Sequence, residues 1–207
     1  MTVIEPDVSK WDAWRPDQVT RLFSGVPAPW YVAGGWAIDL FLGEERRMHE
    51  DLEIGVPSSR FDEVMEALRP FELFVITAPH EAVPLRLARG RLADTHQTWV
   101  REPTTGAWRL DIFREPSEGE TWICRRDSSI RLPYAELVER TDDGIPYGRP
   151  EVILLFKAKR PQEEKNRDDL AAALPRLGAE RREWLREALA RVHSRHPWLG
   201  ELERCAA

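Results

Sequence analysis

Near residue 130 the chain changes its repeat, and that change limits the folds open to it. Before it, short apolar runs at residues 30–33, 51–56, 71–77, 97–101, 108–113 and 121–123 are punctuated by Gly, Pro and turn residues, the pattern of strands with helices between them. After it, residues 151–159, 168–174 and 180–193 are rich in Leu, Ala, Glu and Arg at the 3.6-residue spacing of packed helices. The pattern predicts an α+β fold, with a strand-bearing domain over residues 1–130 and a mostly helical region over 131–207. In the first part, helices are expected from Pro16, from Trp36 to a stop at Gly43, and from a Ser58 or Ser59 cap to Pro70. From residue 85 to 123 the pattern favours strands, clearest at 97–101, 108–113 and 121–123, with turns at Thr104-Thr105-Gly106 and Glu118-Gly119.

Composition excludes several classes. The 207 residues are 42% hydrophobic and 32% charged, so the chain can build a core and is not a disordered tail. The longest apolar run, residues 152–156, stops at Lys157, far short of the ~20 residues of a bilayer span. The opening residues carry Glu5 and Asp7 and no signal-peptide pattern, which gives a cytoplasmic expectation. Cys124 and Cys205 form no disulfide framework or zinc motif. A net charge of -6 argues against a general nucleic-acid binder and suits a cationic small molecule.

Three features carry chemistry. Asp51 and Glu53 are two apart on a strand, so both carboxylates project from one face while Leu52 and Ile54 enter the core; hard oxygen pairs of this kind hold Mg²⁺. Gly34-Gly35 lies between a strand and a helix, where backbone N–H groups can approach a triphosphate, and Arg46, Arg47 and His49 stand just before the acidic strand. Asp111 interrupts the apolar strand at 108–113, and a carboxylate there is costly unless it is bonded, paired or metal-bound. His49 is open to either ordering its loop or touching nucleotide, and Lys157 to either snorkelling at the seam or meeting phosphate. Asp39 reads as a solvated helix residue, and Trp36 is the one tryptophan placed to stack on a ligand.

The run Gly34-Gly35-Trp36-Ala37-Ile38-Asp39, then Gly43, then Arg47-Met48-His49-Glu50-Asp51-Leu52-Glu53 resembles the signature of the polymerase-β-like nucleotidyltransferase superfamily, in the branch with aminoglycoside-2''-adenylyltransferases and lincosamide nucleotidyltransferases. The strand at 108–113 resembles that branch's third-carboxylate strand, and residues 144–159 its C-terminal helix. Two positions depart from the pattern: Glu53 stands where Asp is usual, as in the Asp-x-Glu of kanamycin nucleotidyltransferases, and Asn166 replaces an acid, whereas Asp169 matches.

The resemblance implies a nucleotidyltransferase-type mixed sheet flanked by helices, and transfer of a nucleoside monophosphate, AMP from ATP, to a hydroxyl of a small molecule such as an aminoglycoside or lincosamide. It implies Asp51, Glu53 and Asp111 as ligands of two Mg²⁺ ions, with Asp111 as general base. Gly34, Gly35 and Arg47, joined by His49 and Lys157, would make the nucleotide site. The acceptor would meet the C-terminal helices. Two other readings are a toxin-like nucleotidyltransferase acting on tRNA or protein, and a nucleotide-binding module without turnover.

Overall fold

Residue by residue, the strands divide their side chains between an apolar face and a polar one, and this division positions everything else. The computed structural model describes residues 3–78 and 80–204; Cys205 lies outside them. The strands are β1 (Tyr31–Val32), β2 (Glu53–Pro57), β3 (Glu72–Ala78), β4 (Glu81–Pro84), β5 (Gln97–Arg101), β6 (Trp108–Glu115), β7 (Ser117–Glu118), β8 (Thr121–Ile123), β9 (Arg131–Pro133), β10 (Val138–Arg140) and β11 (Pro146–Gly148). The helices are α1 (Pro16–Leu22), α2 (Gly34–Leu42), α3 (Phe61–Ala67), α4 (Leu85–Ala88), α5 (Tyr134–Leu137), α6 (Pro150–Lys157), α7 (Glu164–Ala173), α8 (Ala179–Val192) and α9 (Pro197–Arg204).

Eight strands form one mixed sheet in the order β10-β11-β1-β2-β6-β5-β3-β4, and β7-β8-β9 form a small second sheet. At its centre β2 runs parallel to β6, setting Glu53 opposite Asp111, while antiparallel β5 sets Trp99 on the other side of Asp111. Because side chains alternate along a strand, Ile54, Val56, Val100, Leu110 and Ile112 all enter the core on one face. Glu53, Asp111, Phe113, Glu115, Gln97 and Trp99 line a cleft on the other.

Helix α2 opens with Gly34 at φ 62° and ends at Gly43, whose left-handed φ of 80° closes the last turn. Helix α6 starts with Pro150 at its first position, where the missing N–H costs no bond, and buries residues 150–155 against the polar face's edge and helices α2, α7 and α8. No helix among the described residues is long and apolar enough to cross a membrane.

Some elements differ from the sequence-based expectation. Leu85-Arg86-Leu87-Ala88 is helical, since Pro84 ends β4 and the four residues after it are good helix formers with no alternation to hold them in a strand. Neither Ser58 nor Ser59 caps a helix: a 3-10 turn spans Ser58–Arg60, and the Ser59 hydroxyl meets that of Ser117 at 3.0 Å. Strands β10 and β11 come after residue 130 and still join the large sheet, β11 parallel to β1, so the change from strand to helix falls at Pro150.

Candidate active site

The cleft has a volume of about 430 Å³ and lies between the polar face of the sheet, the start of α2 and the side of α6. Strand alternation delivers Glu53 and Asp111 to its floor, and the turn into α2 brings Gly34 and Gly35 beside them. A Cβ on Gly34 would overlap the Glu53 carboxylate, and one on Gly35 would overlap the Arg47 guanidinium, so both glycines are needed for the close approach of backbone to these groups. Asp51 stands exposed at the rim, one residue before Leu52 enters the core.

These acids lack the cations that buried carboxylates normally have. Gln97 Nε2 donates to Asp111 Oδ2 at 2.8 Å, but Asp111 Oδ1 is buried with no hydrogen-bond partner. Burial, then repulsion from Glu53, pushes the Asp111 carboxyl well above its ordinary range. Burial and repulsion from Asp51 push Glu53 up to about 7, with Lys157, Lys165 and Arg125 opposing the rise. Asp51 is raised as well, by desolvation in the concave rim, against the pull of Lys165.

The donor set suits a hard divalent cation. Among the described residues no three His, Cys, Asp or Glu side chains gather into a metal-holding cluster. Mg²⁺, however, is usually held by one or two carboxylates together with substrate phosphates and water rather than by an all-protein cage. Glu53 and Asp111 face each other across neighbouring strands, and the orphaned Asp111 oxygen supplies a ligand position that nothing in the protein fills.

The cations divide into two groups. Arg47, Lys157 and Lys165 line the cleft. Lys157 is steadied by Asp169 Oδ2 at 2.7 Å, and Arg47 lies 3.8 Å from the same oxygen. Arg46 and His49, expected beside the phosphates, turn away from the cleft. Arg46 binds Asp39 at 3.0 Å and Asp169 at 2.6 Å, and His49 Nε2 meets Asp39 Oδ2 at 2.7 Å with its ring stacked on Trp36. Asp39 is therefore a buried, fully paired residue and not a solvated one, and Trp36 is packed rather than free to stack on a ligand. The reason is local: α2 points Asp39 inward, toward the loop that carries Arg46 and His49.

The cleft also contains residues that the motif reading passed over: Gln97, Trp99, Phe113, Glu115, Arg125 and Phe156. Phe113 and Glu115 continue the two-residue period begun at Asp111 and could have been read from it; Gln97 and Trp99 depend on the β5–β6 register, which no local signal sets. A larger cleft of about 570 Å³, lined by Phe23, Pro27, Trp30 and Tyr134 among others, brings no acid pair to a glycine turn.

Residues 17–107 match the family model of aminoglycoside-2''-adenylyltransferase. No curated protein matches the chain. Among solved structures, the antibiotic-resistance factor ANT(2'')-Ia is similar with a TM-score of 0.57 at 16% identity, over 91% of this chain and 94% of that one. The same protein in complex with adenylyl-2''-tobramycin gives 0.57 at 17%, over 86% and 95%. The lincomycin-bound lincosamide antibiotic adenylyltransferase LnuA gives 0.53 at 17%, over 75% and 92%. The family match over residues 17–107 and the fold shared with these structures bear out the resemblance to the aminoglycoside and lincosamide branch of the nucleotidyltransferases.

Proposed function

We propose that this protein moves a nucleoside monophosphate, AMP from ATP, onto a hydroxyl of a small molecule in the cytoplasm. The observation that carries the reading is Asp111: a buried carboxylate with one unpartnered oxygen, in register with Glu53 and beside the Gly34–Gly35 turn. ANT(2'')-Ia and LnuA, seen with adenylylated tobramycin and with lincomycin, are the precedent for adenylyl transfer to an antibiotic.

The chain's own residues supply the parts. Gly34, Gly35, Arg47 and Lys157, together with Lys165, receive the triphosphate at the positive end of α2. Asp51, Glu53 and Asp111 would hold Mg²⁺, two ions in our reading, and bound metal would neutralise phosphate charge and stabilise the entering and leaving oxygens. Asp111 takes the proton of the acceptor hydroxyl, whose oxygen bonds to the α-phosphorus as the bond to the β-phosphate oxygen breaks and pyrophosphate leaves. Burial and Glu53 favour the protonated carboxyl when the site is empty, so Asp111 acts as the base only in the loaded site, where bound metal would favour its ionised form. His49 acts behind Gly35, orienting the loop through Asp39 rather than touching nucleotide. We assign the catalytic acids and the glycine turn to residues 1–130 and a share of the acceptor site to 131–207, which reaches the donor through Lys157 and Lys165 and closes the cleft with Val152, Ile153 and Phe156.

The test is mass spectrometry of an acceptor panel after incubation with Mg²⁺ and each nucleoside triphosphate, with pyrophosphate measured in parallel. The expected result is an acceptor heavier by one nucleoside monophosphate and an equal amount of pyrophosphate. Labelled tRNA or protein with unchanged small molecules would favour a macromolecular acceptor and contradict the proposal.

A further inference from the structure

The end of the cleft beside Phe156, which the proposed function gives to the acceptor, is built around a guanidinium. Arg125 lies between two rings, 5.0 Å from the centroid of Phe113 and 4.5 Å from that of Phe156, and its Nη1 donates to Glu115 Oε1 at 2.5 Å. Glu115 is only 3% exposed, so the clamp is anchored in the core. The next residue, Arg126, donates to the Leu155 and Phe156 carbonyls at 2.7 Å each, which ties the loop to the end of α6. Arg125 is thus held in one pose with the rest of its N–H fork toward the cleft, the geometry that matches a carboxylate or phosphate.

The acids of the cleft are already committed. Glu115 Oε1 is taken by Arg125, with Oε2 buried behind it, Glu163 is taken by Arg160 at 3.1 Å, and Asp51, Glu53 and Asp111 belong to the metal and phosphate end. Lys159, exposed on the same wall, has no ion-pair partner among the described residues. His96, whose ring stacks on Phe113, is held down to about 4 by desolvation and then by Arg125, Arg114 and Lys159, which reports a positive field at this end. Among the described residues that line this end, no solvent-facing carboxylate without a cation is left for the ammonium groups of an aminoglycoside, despite the chain's net charge of -6.

We infer that Arg125 is an anion-receiving subsite, and that the acceptor is a small hydroxylated molecule bearing a carboxylate or phosphate rather than a polycation. This rests on the proposed nucleotidyl transfer. Phe113 follows Asp111 by two residues on one strand face, ~7 Å, so hydroxyl and anion are separated by about one sugar ring.

The test uses the full chain saturated with Mg²⁺ and α,β-methylene ATP, titrated with inorganic phosphate and separately with tobramycin, while the Arg125 side-chain N–H signal is followed by NMR. Phosphate should shift that signal and tobramycin should not. Arg125→Lys keeps a cation for Glu115 but loses the fork, and should weaken phosphate about tenfold while leaving analogue affinity within about twofold. A phosphate titration that leaves Arg125 unmoved, or tobramycin that binds in the cleft, overturns the inference. So does an Arg125→Lys protein that loses the analogue instead, because the guanidinium then belongs to the donor triphosphate. The wild-type titration decides even if the variant does not fold. A protein that does not bind the analogue contradicts the proposed function, and phosphate titrated into the unloaded protein still tests the subsite.

Discussion

Two pairs of buried acids lie on either side of the Gly34–Gly35 turn, and they are treated in opposite ways. Asp39 and Asp169 are surrounded by partners: Arg46 bridges them, the His49 ring meets the first and Lys157 the second. Glu53 and Asp111 face one another with Gln97 donating to Asp111, one orphaned oxygen and raised pKa values. A chain that can place arginine and lysine so accurately around one pair leaves the other pair bare. The paired acids join α7 to α2 and steady Lys157 and Arg47; the bare ones are a vacancy in the charge balance that a cation and a triphosphate can fill together.

The largest effect should come from the bare pair. Asp111→Asn should lower turnover by more than the ~10²–10⁴-fold typical of losing a general base, since a metal ligand goes with it. It should leave the stability of the metal-free protein about unchanged, because burial already favours the neutral carboxyl that the amide replaces. Single-turnover kinetics and chemical denaturation of the same preparation check both halves. Full activity in Asp111→Asn would remove the base from the mechanism.

Asp169→Asn should do the reverse. With Lys157 left without its carboxylate and Arg46 left with Asp39 alone, stability should fall by about 3–5 kcal/mol, as when one partner of a buried ion pair is removed. Denaturant midpoints measure it, and a loss below about 1 kcal/mol would show that the pairing contributes little.

Of this contrast the sequence carries one half. Asp111 stands out as a carboxylate among Leu110, Ile112 and Phe113, and the Asp51-x-Glu53 spacing together with Gly34-Gly35 points to the same chemistry. That each carboxylate points to the polar face follows from strand alternation, a local rule. Asp39 and Asp169 are 130 positions apart, and no periodicity joins them, so the pairing of Arg46 and His49 away from the cleft was not legible. The Glu53–Asp111 register likewise depends on a crossover through β3, β4 and β5. Strands β10 and β11 are three residues each, too short for alternation to separate them from loop, and Leu85–Ala88 is decided by Pro84 rather than by its own apolar pattern.

A smaller effect should appear in the pH dependence of the metal-free protein. Glu53 titrates at about 7 in the folded chain against an ordinary 4.5, so between those values the native state holds a proton that the unfolded state releases. Stability in the presence of chelator should therefore fall as pH rises through this window, with Asp111 adding to the slope. Glu53→Gln should flatten the profile and Mg²⁺ should oppose the fall. A profile that rises with pH, or one unchanged by Glu53→Gln, would contradict the assignment.

Calorimetry of ATP binding at neutral pH, with Mg²⁺ and with chelator, tests most directly whether the bare acids await a cation. The expected result is binding with Mg²⁺ that releases protons from Glu53 and Asp111, seen as heat that varies with the ionisation enthalpy of the buffer, and no measurable binding once the metal is removed. Equal ATP affinity with and without Mg²⁺, and no proton release, would contradict the account.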